Sequence, residues 1–219
     1  LRDDVRGARE DFRRAVALDP RNPEAWHRLG QVLNLPEERS ASIAAYLKAI
    51  ALAPDRAISY SDLSWMLLLQ GRVAEAAFWS DSLVAFAPEF RYTWRARVLV
   101  RLMQRDVRGA RAAFEHIAQE FRPGFWELES DLLTAEGDTA GARRVLAQVP
   151  DGLRGSGFAA QSRLLTGDRE GALDALGSTP PTWYRAYWFV SALYLGGRFD
   201  ARGDPRYERF KAVCEAALR

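Results

Sequence analysis

The sequence predicts an all-α fold, a right-handed solenoid of helical hairpins closed by a carboxy-terminal capping helix. Three observations carry this. Small residues inside apolar helical patterns recur at Ala8, Ser42, Ala76, Ala110, Ala142 and Ala172, at spacings of 34, 34, 34, 32 and 30. Aromatic residues stand 16 positions before four of them, at Trp26, Tyr60, Trp94 and Trp126. Prolines follow the first three by 12 positions, at Pro20, Pro54 and Pro88, so each unit is held in register at three points.

The elements follow from that register. Four residues beyond each small position sit Phe12, Tyr46, Ser80, Phe114, Leu146 and Leu176, and Ala15, Ala49, Leu83 and Ile117 come three later, all on one helical face. Two helices of about 12 residues with two short turns consume about 34 residues, so each unit is one hairpin. The small residues let the two helices of a hairpin approach, and the aromatics fill the gap against the next hairpin. Gly71-Arg72, Arg105-Asp106, Gly137-Asp138 and Gly167-Asp168 fall at equivalent places between the first and second helix, where a reversal favours glycine.

The segment Gly7-Ala8-Arg9-Glu10-Asp11-Phe12-Arg13-Arg14-Ala15-Val16-Ala17-Leu18-Asp19-Pro20 followed by Asn22-Pro23-Glu24-Ala25-Trp26-His27-Arg28-Leu29-Gly30 resembles the junction between two tetratricopeptide repeats. The resemblance implies regular repeats at 23–56, 57–90 and 91–124, two shortened repeats over 125–180, and final helices with a cap over 181–219. Residues 1–22 supply only a second helix, so an apolar face with Phe12 is expected to be partly bare. Its cover would be a longer chain or another subunit.

At the far end Asp204-Pro205 reads as a helix start, a capping oxygen followed by a proline at the first helical position. Tyr207, Phe210, Cys214, Ala217 and Leu218 then share one face. Asp204-Pro205-Arg206-Tyr207 is also similar to the close of repeat arrays in bacterial multi-domain regulators, which implies that an effector domain could precede the repeats.

Composition narrows the function. The chain has 31 basic against 29 acidic residues in 219, a net charge of +2 that demands no polyanionic partner. With 48% hydrophobic and 27% charged residues it is neither disordered nor built for a bilayer, and no run approaches the roughly 18 apolar residues of a spanning helix. One cysteine and two histidines cannot assemble zinc ligand sets or an internal disulfide, so no metal and no cofactor is expected. Compartment is left open.

Several candidate motifs point nowhere. Gly155-Ser156-Gly157-Phe158-Ala159-Ala160 lacks the preceding strand that a dinucleotide loop needs. Arg202-Gly203-Asp204 reads as a turn into the last helix. His27, His116 and Cys214 lie in different repeats, and no nucleophile has a base beside it, so no enzyme is expected. Arg91, Arg95, Arg97, Arg101, Arg105, Arg108 and Arg111 crowd one hairpin and could hold phosphate or nucleic acid. Arginine supplies 29 of the 31 basic residues, however, so composition explains the run, with Glu75, Asp81 or Glu115 placed to neutralise it.

The tetratricopeptide resemblance implies a peptide groove on the concave side, lined by the first helix of each repeat. The positions of the chaperone-tail carboxylate clamp hold His27, Gln31, Asp62, Tyr92 and Ala96 instead of its lysine, asparagine and arginine, so that ligand is not expected. The middle of the groove reads as apolar. The expected function is a non-catalytic scaffold binding a protein or peptide segment. Trp65, Leu69, Tyr92 and Met103 would give apolar contact, with Arg28 and Arg95 fixing register. The alternative is a structural subunit that stacks head to tail with itself into an oligomer or filament.

Overall fold

A computed structural model describes residues 5–33, 36–119, 121–149, 160, 163, 166–177 and 203–218. These residues contain helices and turns but no strand. In chain order the helices are α1 (Val5–Leu18), α2 (Pro23–Val32), α3 (Arg39–Leu52), α4 (Ala57–Leu69), α5 (Val73–Phe86) and α6 (Thr93–Met103). They continue as α7 (Val107–Glu115), α8 (Trp126–Glu136), α9 (Thr139–Ala147), α10 (Arg169–Gly177) and α11 (Pro205–Leu218). Short 3-10 turns at Pro36–Glu38 and Arg122–Phe125 lead into α3 and α8.

Each helix packs mainly on its chain neighbours. The pairs α2/α3, α4/α5, α6/α7 and α8/α9 form antiparallel hairpins, and α3, α5 and α7 lie against the first helix of the following hairpin. First helices also touch across hairpins, α4 on α6 and α6 on α8. The core is accordingly drawn out in a row. Val16, Ala25, Leu29 and Ala45 hold α1 to α3, and a longer cluster runs from Ile43 through Leu63, Leu83, Val98 and Phe114 to Leu132. This is the α-solenoid of tetratricopeptide-like hairpins.

The small positions do what their spacing demands. Ser42, Ala76, Ala110, Ala142 and Ala172 are completely buried, whereas Ala8 is only half-buried because α1 has no preceding partner helix among the described residues. Tyr46, Phe114, Leu146 and Leu176, four residues on, are buried with them. Ser42 Oγ donates to the Gly30 carbonyl at 2.7 Å, tying α2 to α3 at their closest approach. The first-helix aromatics are fixed to the preceding hairpin: Trp26 Nε1 donates to Pro20 O, Tyr60 Oη to Pro54 O and Trp94 Nε1 to Pro88 O, at 2.9, 2.9 and 3.0 Å.

The turns inside the hairpins are left-handed. Gly71, Arg105, Gly137 and Gly167 have φ of 72, 61, 89 and 78°, and the next amide in each case bonds back to a carbonyl five residues earlier, from Arg72 N to Leu67 O through Asp168 N to Arg163 O. Asp106, Asp138 and Asp168 follow three of these turns and accept the amides of Gly109, Gly141 and Gly171 at 2.9, 2.7 and 3.0 Å. One Asp-x-x-Gly unit thus closes the turn and starts the next helix.

In the amino-terminal helix Ala8 and Phe12 are half-buried. α11 packs on α10, with its Tyr207 and Phe210 buried, and also touches α1, so the ends of the described chain meet. Arg206 pins α11 to α10 through Glu170 and Asp174. The glycine-rich stretch at 155–159, Arg202, most of the second shortened repeat, the final helices before Gly203 and the side chain of Cys214 lie outside the described residues.

Candidate functional site

Because α4 touches α6 and α6 touches α8, the first helices form a continuous inner row, and side chains from successive repeats meet on it. Asn22 caps α2 and Pro23 opens it, which sets Glu24, His27, Arg28 and Gln31 on successive turns facing α4. Arg28 Nε donates to Glu24 Oε1 at 2.6 Å and Arg28 Nη1 to Gln31 Oε1 at 3.0 Å. Arg56, in the turn before α4, pairs with the other Glu24 oxygen. Gln31 Nε2 donates to Asp62 Oδ2 at 3.1 Å, and Ser59 Oγ lies 3.0 Å from His27 Nδ1.

The electrostatics of this face are uneven. Burial pulls the Glu24 carboxyl up, yet Arg28 and Arg56 together hold it below the ordinary range. Burial pushes Asp62 up to about 6, against the Gln31 bond and the more distant pull of Arg95, Arg28 and Arg56, although 25% of its side chain stays exposed. Glu127, in the first turn of α8, is also raised by burial, with only Arg95 and a backbone amide opposing. His27 is held down to about 4 by burial and by Arg56, so it is neutral at pH 7. Arg95 therefore acts on two under-compensated carboxylates, one on each side of α6.

Of the residues expected to contact a partner, Arg28 is exposed, Tyr92 and Met103 are half-buried, and the other three are interior. Trp65 is 3% and Leu69 5% exposed, both in the central core cluster, and Arg95 is 8% exposed with its guanidinium over the Trp65 ring at 5.3 Å. The expectation of an apolar middle is corrected accordingly. The reason is that α4 is buried nearly all round, from Ser59 to Leu69 with only Asp62 reaching out, so its apolar residues hold the stack together. What the inner row offers to solvent is chiefly polar.

The arginine cluster disperses. Arg97 pairs with Asp81 as the sequence suggests, Arg101 with Asp106 at 3.1 Å and Arg111 with Glu136, while Arg91 lies over the Tyr92 and Phe121 rings. Arg105 and Arg108 are the exposed remainder. Two features went unread in the sequence. Trp94 stacks on His116 at 4.0 Å beside a cavity of about 320 Å³ between hairpins, and Phe78 and Phe86 stand exposed on α5, Phe78 edge-on to Trp79 and Phe86 edge-on to Tyr60. Among the described residues no helix is long and apolar enough to cross a membrane, and no group of histidine, cysteine and carboxylate side chains could hold a metal ion.

Comparison with known proteins agrees with this architecture. A family model for the tetratricopeptide repeat matches residues 2–35 and 37–89. No curated protein matches the chain. Among solved structures, a tetratricopeptide repeat protein from Parabacteroides merdae is similar, with a TM-score of 0.56 and 13% identity over 99% of this chain and 93% of that one. Such repeats are in general protein-interaction scaffolds, typically without catalytic activity. Residues 2–35 and 37–89 thus match the tetratricopeptide repeat by sequence, and along its length the chain has a fold similar to that of a tetratricopeptide repeat protein.

Proposed function

We propose that the chain is a non-catalytic scaffold that holds an extended partner segment along its inner row of helices, α2, α4, α6 and α8. The observation that supports this best is the row itself: side chains from four consecutive hairpins lie on one surface, linked by the bonds from Gln31 to Asp62 and by the charge of Arg95 toward Asp62 and Glu127. A segment laid across it would meet several repeats at once, which is how a solenoid accumulates affinity from modest contacts.

In this reading Arg28, Tyr92 and Met103 touch the partner, while Trp65, Leu69 and Arg95 act from beneath by fixing the shape of the face. Tyr92 is set edge-on to Phe90 and Phe125, with ring centroids 5.5 and 6.0 Å away, and so is already rigid before a partner arrives. The head-to-tail alternative is disfavoured by the contact of α11 with α1, since stacking would need that same end.

The test is peptide capture by the whole chain from a displayed library of random decapeptides. Tyr92→Ala combined with Met103→Ala is expected to cut capture by about tenfold or more with helix content by circular dichroism unchanged. Undiminished capture by that folded variant contradicts the inner-row reading.

A further inference from the structure

We infer that the cavity between the turn at 88–91 and the end of α7 binds a small aromatic carboxylate, with the ring among the cavity's aromatic side chains and the carboxylate on Arg91. The site stands apart from the inner-row reading and does not depend on it.

The walls are held in place before any ligand arrives. The cavity measures about 320 Å³, at the lower end of the roughly 300–1,000 Å³ of small-molecule sites, so it suits one ring system and not a folded partner. Phe90, Trp94, His116 and Phe121 supply its aromatic lining. Trp94 Nε1 is bonded to the Pro88 carbonyl at 3.0 Å, and its ring stacks on His116, whose Nδ1 donates to the Ala112 carbonyl at 2.8 Å. Arg122 fixes the end of α7 by donating to the Glu115 and Ile117 carbonyls, each at 3.0 Å. Phe121 lines the cavity yet keeps 40% of its surface exposed, so the opening presents an apolar ring to whatever enters.

The charges decide the sign of the ligand. Arg91 and Glu89 both line the cavity and both are exposed, but they are held differently. The Arg91 guanidinium lies over the Tyr92 ring at 4.8 Å and the Phe121 ring at 5.6 Å, and it forms no ion pair or hydrogen bond among the described residues. A guanidinium engaged through its faces keeps its N–H edge open, and that edge matches a carboxylate in a bidentate pair. The two rings also restrain it in advance, which lowers the entropy lost on binding. No contact among the described residues restrains the Glu89 side chain, which is free to turn toward water. A bound cation would lie beside the restrained Arg91, whereas a bound anion is opposed only by a carboxylate that nothing holds against it.

The experiment titrates the whole chain at pH 7 with phenylacetate and with phenylacetamide, its neutral near-isostere, by isothermal calorimetry. The acid is expected to bind about tenfold or more tightly than the amide. Arg91→Gln should erase that difference, and Glu89→Gln should raise the affinity for the acid. Ala118→Trp, at an exposed position on the cavity wall, fills the space and should abolish binding of both with helix content by circular dichroism unchanged. Equal binding of acid and amide to the unaltered chain, or no binding of the acid at millimolar concentration, overturns the inference and needs no protein variant to be seen. A preference for the acid that survives Arg91→Gln, weaker binding of the acid by Glu89→Gln, or undiminished binding by Ala118→Trp overturns it as well.

Discussion

Gly30 of α2 lies flat against the ring of Tyr46 on α3, so closely that a Cβ at Gly30 would stand 2.8 Å from Tyr46 Cε1. Tyr46 is fully buried and cannot swing aside, and Ser42 bonds the Gly30 carbonyl from the same helix. Gly30→Ala is therefore expected to destabilise by about 1–3 kcal/mol through overpacking, despite the better helix propensity of alanine. Urea denaturation should show a lower midpoint at unchanged slope; an unchanged or higher midpoint means that α2 and α3 do not meet as described.

Among the described residues the left-handed turn at Arg105 is the one occupied by a residue with a side chain, at φ 61° where Gly71, Gly137 and Gly167 stand in the equivalent turns. Arg105→Gly should stabilise by about 1 kcal/mol by relieving that backbone, the gain in native geometry outweighing the entropy of the unfolded glycine. The side chain is exposed and forms no ion pair among the described residues, so nothing offsets the gain. Thermal denaturation that gives a lower midpoint for the variant contradicts this.

Asp106 follows that turn and caps α7 by accepting the Gly109 amide, besides pairing with Arg101. Asp106→Ala should cost about 1 kcal/mol, most of it from the lost cap, because a surface ion pair adds little. Asp106→Asn separates the two, since asparagine can still cap. If the asparagine variant loses as much stability as the alanine variant in chemical denaturation, the cap is not the source.

His27 and Asp62 lie 3.7 Å apart and tilt the dependence of stability on pH in opposite directions. The His27 pKa falls from 6.5 to about 4 on folding, so its contribution is full above pH 6.5 and is lost as pH falls through about 4, an effect of at most about 3 kcal/mol. Asp62 rises from 3.8 to about 6, so its contribution is full below pH 3.8 and is lost as pH rises through about 6, of similar size before its partial exposure reduces it. Asp62→Asn should therefore make the chain more acid-sensitive between pH 6.5 and 4, and His27→Asn less so. Denaturation midpoints at pH 7, 6, 5 and 4 check the signs, and parallel profiles for the two variants exclude the assignment.

The fold was legible in the sequence to the degree that it rests on local spacing. Ala76 and Ala110 could be read as contact points, and Trp26 and Trp94 as register marks, because a 34-residue period admits only one hairpin geometry and its aromatics end up bonded to Pro20 and Pro88. The glycine turns were legible for the same reason. The caps at Asp106, Asp138 and Asp168 were in plain view as Asp-x-x-Gly but were read only as parts of turns.

The site was less legible, and the cause is physical. Along α4 apolar residues fall on every face, so periodicity cannot separate a groove-lining Trp65 or Leu69 from a core residue; burial on all sides by α3, α5 and α6 decides it. The charge pattern depends on pairings such as Gln31 with Asp62 and Arg56 with Glu24, which join residues 31 and 32 positions apart across a repeat boundary. Spacing along one helix carries no trace of them. The meeting of α1 with α11 joins residues about 200 positions apart, which no single repeat encodes.

The central claim is that each hairpin is stabilised by the hairpins beside it in the row, and native-state hydrogen exchange on Leu132→Ala tests it most directly. Leu132 is fully buried in α8, and truncation there should cost about 2–5 kcal/mol locally. In a one-dimensional array, protection should fall most in α7, α8 and α9, less in α6, and least in α2 and α3. A uniform fall across α2 to α9 would mean a single cooperative core gathered about one centre, and would contradict the account.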